Sequence, residues 1–250
     1  MIEEEKCLER IIQEMGRVAV AFSGGVDSTL VAKVAVDVLG EKAIALTAIS
    51  ASLPKSEMEA CKALAQEIGI NHVLIESHET EDKAYQQNDP LRCYYCKNEV
   101  YKLFTDYSRQ HQIDFVLDGT NADDVGDHRP GRKAAGEYGV RSPLQEANFN
   151  KTKIRALAKQ MGLSNWNKPA AACLSSRIPY GSRVTLEKLV QIEQAEAVLK
   201  SLGLGQLRVR HHDQIARIEI LPEEFATVIA QYKQIVAEIK RLVYIYVTLD

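Results

Sequence analysis

The chain has 250 residues, 46% of them hydrophobic and 26% charged, with a formal net charge of −3. That balance suits a globular protein large enough to bury a core in one large or two unequal domains. It argues against a nucleic-acid binder, which more often carries a basic excess, and no apolar run approaches the ~20 residues that span a bilayer. The start, Met1-Ile2-Glu3-Glu4-Glu5-Lys6, lacks the basic end and apolar centre of a signal peptide, so a cytoplasmic, membrane-free location is expected. An odd number of cysteines, Cys7, Cys61, Cys93, Cys96 and Cys173, argues against a disulfide framework and raises metal binding or reactive thiols instead.

Residues 3–15 place Cys7, Leu8, Ile11 and Ile12 on one side, which predicts an amphipathic helix. Residues 17–22, with VAVAF at their core, predict a buried parallel strand. A Gly-rich turn leads into a helix over 28–39, stopped by Gly40. A strand at 43–49, a helix at 55–68, a strand at 72–76, a helix over 95–110 and a strand at 115–118 follow. This alternation predicts an α/β fold, a doubly wound and mostly parallel sheet with right-handed crossovers. Ligands of such sheets bind beyond the carboxyl ends of the strands, so the loops after Phe22, Ile49 and Asp118 are the expected site. A helix over 152–161 comes next. Residues 164–184, rich in Ser, Pro, Ala and Arg, show no period, and a loop of that length is usually functional or disordered. A helix at 186–201, strands near 206–211 and 215–220, a helix from 223 and a β-rich end, LVYIYVTL, predict a smaller α+β domain. The expected division is 1–165 and 166–250.

Ser23-Gly24-Gly25-Val26-Asp27-Ser28 follows the first strand and opens a helix. Its glycines let backbone approach an anion, the helix N-terminus offers unpaired N–H groups, and both serines can donate. Asp27 alone would repel phosphate, so a Mg²⁺ beside it is the natural inference. A Walker A loop is absent. Its nearest approach, Gly126-Asp127-His128-Arg129-Pro130-Gly131-Arg132, follows no strand and has no hydroxyl after its Arg, and Gly203-Leu204-Gly205 lacks the third glycine of a dinucleotide fingerprint.

SGGVDS resembles the PP-loop of the ATP pyrophosphatases, an adenine nucleotide α-hydrolase-like group that includes GMP and NAD synthetases, argininosuccinate synthetase and tRNA thiolases. Asp118-Gly119-Thr120-Asn121-Ala122-Asp123-Asp124 and Ser142-Pro143-Leu144, with Lys153-Ile154-Arg155 and Gly162-Leu163 after it, look like the same group. The resemblance implies cleavage of ATP between its α- and β-phosphates and adenylation of a substrate. It implies that Ser23, Gly24, Gly25, Val26, Asp27 and Ser28 hold ATP, with Asp27 on Mg²⁺, and that Ala48, Gly119 and Thr120 face the adenosine.

Cys93-Tyr94-Tyr95-Cys96 is a CxxC, and the second CxxC that would point to a zinc ribbon is missing. A zinc site completed by a histidine, or ordinary thiols near a helix start, stay open. Three cysteines, with Cys173 as the third, could ligate three irons of a [4Fe–4S] cluster and leave the fourth open. Basic neighbours Lys168, Arg177 and Arg183 favour a reactive Cys173. Cys7 and Cys61 fall in helical patterns and read as core residues.

KPAAACLSSRIPYG around Cys173, with SGGVDS, RCYYCK, DGTNADDVGDHRPG and SPLQEANFNKTKIRALAKQMGL, is similar to the LarE family over most of 15–185. The family's members are sulfur transferases of nickel-pincer cofactor assembly for lactate racemase. The resemblance implies that one carboxylate of pyridinium-3,5-biscarboxylic acid mononucleotide is adenylated and AMP is then replaced by sulfur, giving a thiocarboxylate. It implies that Cys173 and Asp27 are the catalytic pair, and it suggests a homo-oligomer. Some members spend the sulfur of a lone cysteine. Cys93 and Cys96 set this chain with those that have two more, for which a [4Fe–4S] cluster on Cys93, Cys96 and Cys173 is implied.

In Leu207-Arg208-Val209-Arg210, strand alternation puts Arg208 and Arg210 on one face, able to grip a substrate phosphate, as the resemblance also implies. Arg177 and Glu196 are further expected substrate contacts, and Glu219 is a weaker one. His211-His212 reads as structural or solvent-facing. The rival readings are a tRNA thiolase, an amide-forming synthetase and a non-catalytic nucleotide-binding sensor.

Overall fold

The computed structural model of the protein describes residues 2–124 and 130–250, with only the backbone of Ile2 and Pro130. Residues 125–129, which include the first four of the stretch Gly126 to Arg132 and part of DGTNADDVGDHRPG, lie outside the described residues. In chain order the elements are α1 (Ile2–Gln13), β1 (Val18–Ala21), α2 (Val26–Leu39), β2 (Ala43–Ile49), α3 (Lys55–Ile68), β3 (Asn71–Glu76), α4 (Lys83–Gln86) and α5 (Arg92–Gln110). They continue with β4 (Phe115–Leu117), α6 (Pro130–Glu137), α7 (Pro143–Glu146), α8 (Lys151–Gln160), α9 (Leu186–Ser201), β5 (Leu207–His212), β6 (Ile215–Ile220), α10 (Phe225–Ala230), α11 (Tyr232–Arg241) and β7 (Tyr246–Leu249).

The chain forms two compact units, one of Met1–Ser50, Lys55–Glu79 and Cys93–Ala171, the other of Ala51–Pro54, Thr80–Arg92 and Ala172–Asp250. The expected division at 165/166 is linear, whereas these units are interleaved along the chain.

The first unit is built on a four-stranded parallel sheet in the order β3-β2-β1-β4. Its central strands are apolar on both faces because both are covered. Val18 and Val20 of β1 join Leu8, Ile12, Leu30, Ile154 and Leu157 on one side, while Ala19 joins Leu46, Phe104 and Val116 on the other. A strand covered twice has no polar face to show, which is why β1 reads as a continuous apolar run. Cys61 is fully buried in this core and Cys7 packs against it. Burial pushes the Cys61 thiol up to about 11.

The second unit has a three-stranded sheet in which β5 and β6 are antiparallel and β6 and β7 parallel. Its core gathers Ala195 and Leu199 of α9, Val209, Ala216 and Ile218 of the sheet, and Ile235 and Ile239 of α11. The helix expected from 223 is divided: a short turn at Pro222–Glu224, then α10, then α11. Of the β-rich end only Tyr246–Leu249 is strand. Val243 turns the chain at φ +70° while Tyr244 drops into the core, so alternation begins only after them. Among the described residues no helix is long and apolar enough to cross a membrane.

Candidate functional site

In the first unit β1 lies between β2 and β4, so the strand order reverses beside it, and the crevice beyond its carboxyl end is the switch point of the sheet. The loop Ser23–Ser28 occupies that place. Gly24 turns at φ +67°, and a Cβ there would lie 2.8 Å from the Cys61 sulfur, so only glycine fits. Gly25 caps α2 in extended backbone with no side-chain hydrogen bond, which leaves first-turn N–H groups free to meet an anion. Ser28 Oγ donates to the Gly25 carbonyl at 3.1 Å and lies 3.2 Å from both the Ser23 amide and the Ser23 hydroxyl, which closes the loop on itself. Asn165 Nδ2 braces it, donating to the Gly24 carbonyl at 3.1 Å and to Thr29 Oγ1 at 3.0 Å.

The loop after β4 is organised by the buried carboxylate of Asp118. It accepts hydrogen bonds from Tyr101 Oη at 3.0 Å, the Thr120 amide at 3.0 Å, Thr120 Oγ1 at 2.8 Å and Ser142 Oγ at 2.7 Å. Burial foremost, with the Asp118 charge adding to it, pushes the Tyr101 phenol up to about 12, so it remains a donor. Gly119 then passes against the phosphate loop: a Cβ on it would stand 2.8 Å from the Ser28 backbone nitrogen. Gly119→Ala must therefore push the two loops apart. We expect it to weaken binding of inorganic pyrophosphate about 10-fold or more in a calorimetric titration, about 1.4 kcal/mol. Unchanged affinity would rule out this loop as the anion site.

Lys151 was not foreseen. Asn150 caps α8 through Lys153 N, which sets Lys151 as the first helical residue. The Lys151 amide donates to Asp123 at 2.8 Å, and its ammonium lies 2.5 Å from Asp27 Oδ2. The charge of Asp27, expected to need a metal ion, is thus already balanced by a cation of this chain, with Asn121 Nδ2 3.5 Å away. Ser23 to Ser28, Gly119 and Thr120 come together at the ends of β1 and β4, with the Thr120 hydroxyl engaged by Asp118. Ala48 stands near the end of β2, paired in register with Ile75.

Cys93 and Cys96 lie on the first turn of α5, three residues apart and so on one face, Cys93 exposed and Cys96 partly so. The start of α6 packs on this turn: a Cβ on Gly131 would lie 3.6 Å from the Cys93 carbonyl, and the Lys133 ammonium is 5.3 Å from the Tyr94 ring. Two thiols on one turn are a soft donor set that suits iron or zinc. Among the described residues no three His, Cys, Asp or Glu side chains are grouped so as to hold a metal ion.

In the second unit Cys173 caps a short turn, Leu174–Arg177. The guanidinium of Arg177, 6% exposed, donates to the carbonyls of Ala172 at 2.8 Å and Cys173 at 3.1 Å, and pairs with buried Glu196 at 2.8 Å. Glu196 also accepts from the Val209 amide at 3.1 Å. Arg210 donates to the Ser176 carbonyl at 2.8 Å and pairs with Glu219 at 2.9 Å. Of the expected substrate contacts, Arg177 and Glu196 thus hold each other, and Arg177 and Arg210 hold the cysteine turn. Arg208 shares a face with Arg210 and has no side-chain partner among the described residues. The basic neighbours expected to activate Cys173 have other partners for their charge: Lys168 pairs with Glu57 at 2.7 Å in the first unit and Arg177 with Glu196, while Arg183 donates to Gln86. His211 is buried 2.9 Å from Tyr244 Oη and pushed down to about 4, by burial first and Lys188 second, while His212 is exposed on the other face, so the two are no ligand pair.

Residues 2–101 match the NAD synthase family model. The chain is 44% identical over 245 residues to the uncharacterized protein slr1717 of Synechocystis, covering 97% of this chain and 91% of the relative. It is 41% identical over 240 residues to the pyridinium-3,5-bisthiocarboxylic acid mononucleotide synthase of Lactiplantibacillus plantarum, covering 96% and 87%. It is 29% identical over 226 residues to the uncharacterized protein MJ0830 of Methanocaldococcus jannaschii, covering 90% and 85%.

Proposed function

The chain belongs to the LarE family of pyridinium-3,5-bisthiocarboxylic acid mononucleotide synthases, and from that membership we propose the reaction it carries out and the residues that serve it. It is an ATP-dependent sulfur transferase. A carboxylate of pyridinium-3,5-biscarboxylic acid mononucleotide attacks the α-phosphorus of ATP, pyrophosphate leaves, and an acyl-adenylate forms. A sulfur nucleophile then adds to the acyl carbon and AMP leaves, giving the thiocarboxylate, and the second carboxylate follows.

The observation that carries this reading is the glycine loop over the uncapped start of α2, at the switch point of a parallel sheet. Backbone N–H groups aimed at one point suit the β- and γ-phosphates that depart together. Ser23 to Ser28 hold them, and Ala48, Gly119 and Thr120 face the adenosine. Asp27 would hold Mg²⁺, which would offset phosphate charge, and Lys151, now paired with Asp27, would then be free for a phosphate oxygen. Arg208 takes the mononucleotide phosphate. Arg177, Glu196 and Arg210 serve the substrate through the turn they hold.

Cys93, Cys96 and Cys173 would hold a [4Fe–4S] cluster in this reading, since soft thiolates suit iron. Such a cluster supplies an open coordination position for sulfur. The protein acts in the cytoplasm, as a homo-oligomer, on a small molecule rather than on RNA, in keeping with its net charge of −3.

The test is turnover of anaerobically purified protein with ATP, Mg²⁺ and the mononucleotide, following pyrophosphate, product mass and intact protein mass. We expect pyrophosphate with thiocarboxylate, an unchanged protein mass, and iron in the preparation. No pyrophosphate would end the functional reading. Loss of hydrogen sulfide at Cys173, or zinc in place of iron, would end the cluster.

A further inference from the structure

We infer that Asn88, supported by Arg92 and Tyr85, is a positioning residue that sets the turn carrying Cys173. This role rests on the reading of Cys173 as the sulfur-bearing residue, and its contacts lie wholly within the second unit.

Asn88 is completely buried and held at φ +55°, a conformation uncommon for a side-chain-bearing residue but tolerated by asparagine. Every polar atom of its side chain is used. Nδ2 donates to the carbonyls of Ile178 at 3.3 Å, Pro179 at 2.8 Å and Ser182 at 2.9 Å, and Oδ1 accepts from Arg92. Its own carbonyl accepts from the Gly181 amide at 3.0 Å. Arg92 is 5% exposed, donates to the Ser175 carbonyl at 2.8 Å, and lies 5.5 Å from the Tyr180 ring. Tyr85 Oη is 2.6 Å from Ser175 Oγ, with both groups buried, and the Val184 amide donates to the Gln86 carbonyl at 2.9 Å. Residues 85–92 are therefore a template on which 175–184 is laid, two residues beyond Cys173. An irregular loop has no ladder to satisfy its carbonyls, and three of them share the two N–H donors of one buried amide group.

The test compares Asn88→Gly, Asn88→Asp and Tyr85→Phe with the parent protein. Glycine keeps the backbone angle and removes the side chain. Aspartate keeps the size and loses the donors. In both Asn88 variants we expect amide exchange over 174–184 and alkylation of Cys173 by iodoacetamide to rise at least about tenfold. Thiocarboxylate formation should fall about tenfold or more while pyrophosphate release stays within about twofold, because the phosphate loop lies in the other unit. Tyr85→Phe, which deletes one hydroxyl, should move each quantity the same way by about threefold and covers the case in which an Asn88 variant fails to fold. Sulfur transfer within twofold of the parent, or loss of sulfur transfer and pyrophosphate release in step, overturns the assignment. A parent protein that makes no thiocarboxylate would overturn the functional reading instead, and exchange and alkylation would still decide whether Asn88 sets the turn.

Discussion

Replacing Cys173 by serine is expected to lower thiocarboxylate formation by roughly 10³-fold or more while pyrophosphate release stays within about threefold of the parent. The separation follows from where the residues sit. The groups proposed for ATP, Ser23 to Ser28 with Gly119 and Lys151, belong to the first unit, and Cys173 to the second. Serine is close in size to cysteine and is itself a favoured cap, so the turn Leu174–Arg177 that begins at this position should persist. What is lost is sulfur chemistry: a hydroxyl is neither a sulfur source nor a soft ligand for iron. The prediction therefore holds whether Cys173 gives up its own sulfur or ligates a cluster. A pyrophosphate assay and product mass spectrometry on one sample read both halves. Parallel loss of both activities would mean that Cys173 is needed for adenylation, and unimpaired product would remove it from the reaction.

The second large effect concerns the ion pair beneath that turn. Arg177 and Glu196 are 6% and 4% exposed and meet at 2.8 Å. Removing one member of a buried pair leaves the other charge without water and without compensation. Glu196→Gln is therefore expected to destabilise the second unit by about 3–5 kcal/mol, seen as an early transition in urea. Replacing both, Arg177→Met with Glu196→Leu, should recover most of the loss, because neither charge is then stranded. The double variant also separates two roles. If stability returns and substrate affinity does not, Arg177 or Glu196 touches the substrate as well as the turn. If the double variant remains as unstable as the single one, the pair is not what holds this region together.

Much of the fold could be read from the chain because period and punctuation agree there. β2, α3, α9 and β6 run where apolar pattern and terminal glycines put them, since strands covered on both faces and helices with one buried side leave a clear trace. The phosphate loop was legible because its chemistry is local: glycines, serines and an aspartate within six residues, between strand and helix. Lys151 was not, because its partner Asp27 is 124 positions away and nothing near Lys151 announces an acid. The same holds for Arg177 and Arg210. On a strand or beside a cysteine an arginine reads as a ligand for phosphate, and only the tertiary structure reveals Glu196, Glu219 and the carbonyls of the turn as the groups it serves. The stretch over 175–184 lacks periodicity for a related reason. Its order comes from Tyr85, Asn88 and Arg92, a template that shares no sequence pattern with it.

The interleaving of the two units has a consequence for how the protein is made. Residues 80–92 leave the ribosome well before 172–184, the stretch against which they pack. At ordinary elongation rates the separation of about 90 residues is a wait of roughly 5–20 s. During it the nascent chain can close the central strands of its parallel sheet, but Tyr85 and Asn88, 1% and 0% exposed at the end, have nothing to cover them. The second unit is assembled from parts of very different age, and residues 85–92 join 175–184 only through long-range contacts, which is the slow class of folding topology. A nascent-chain chaperone has its natural window here, between the translation of Arg92 and that of Val184.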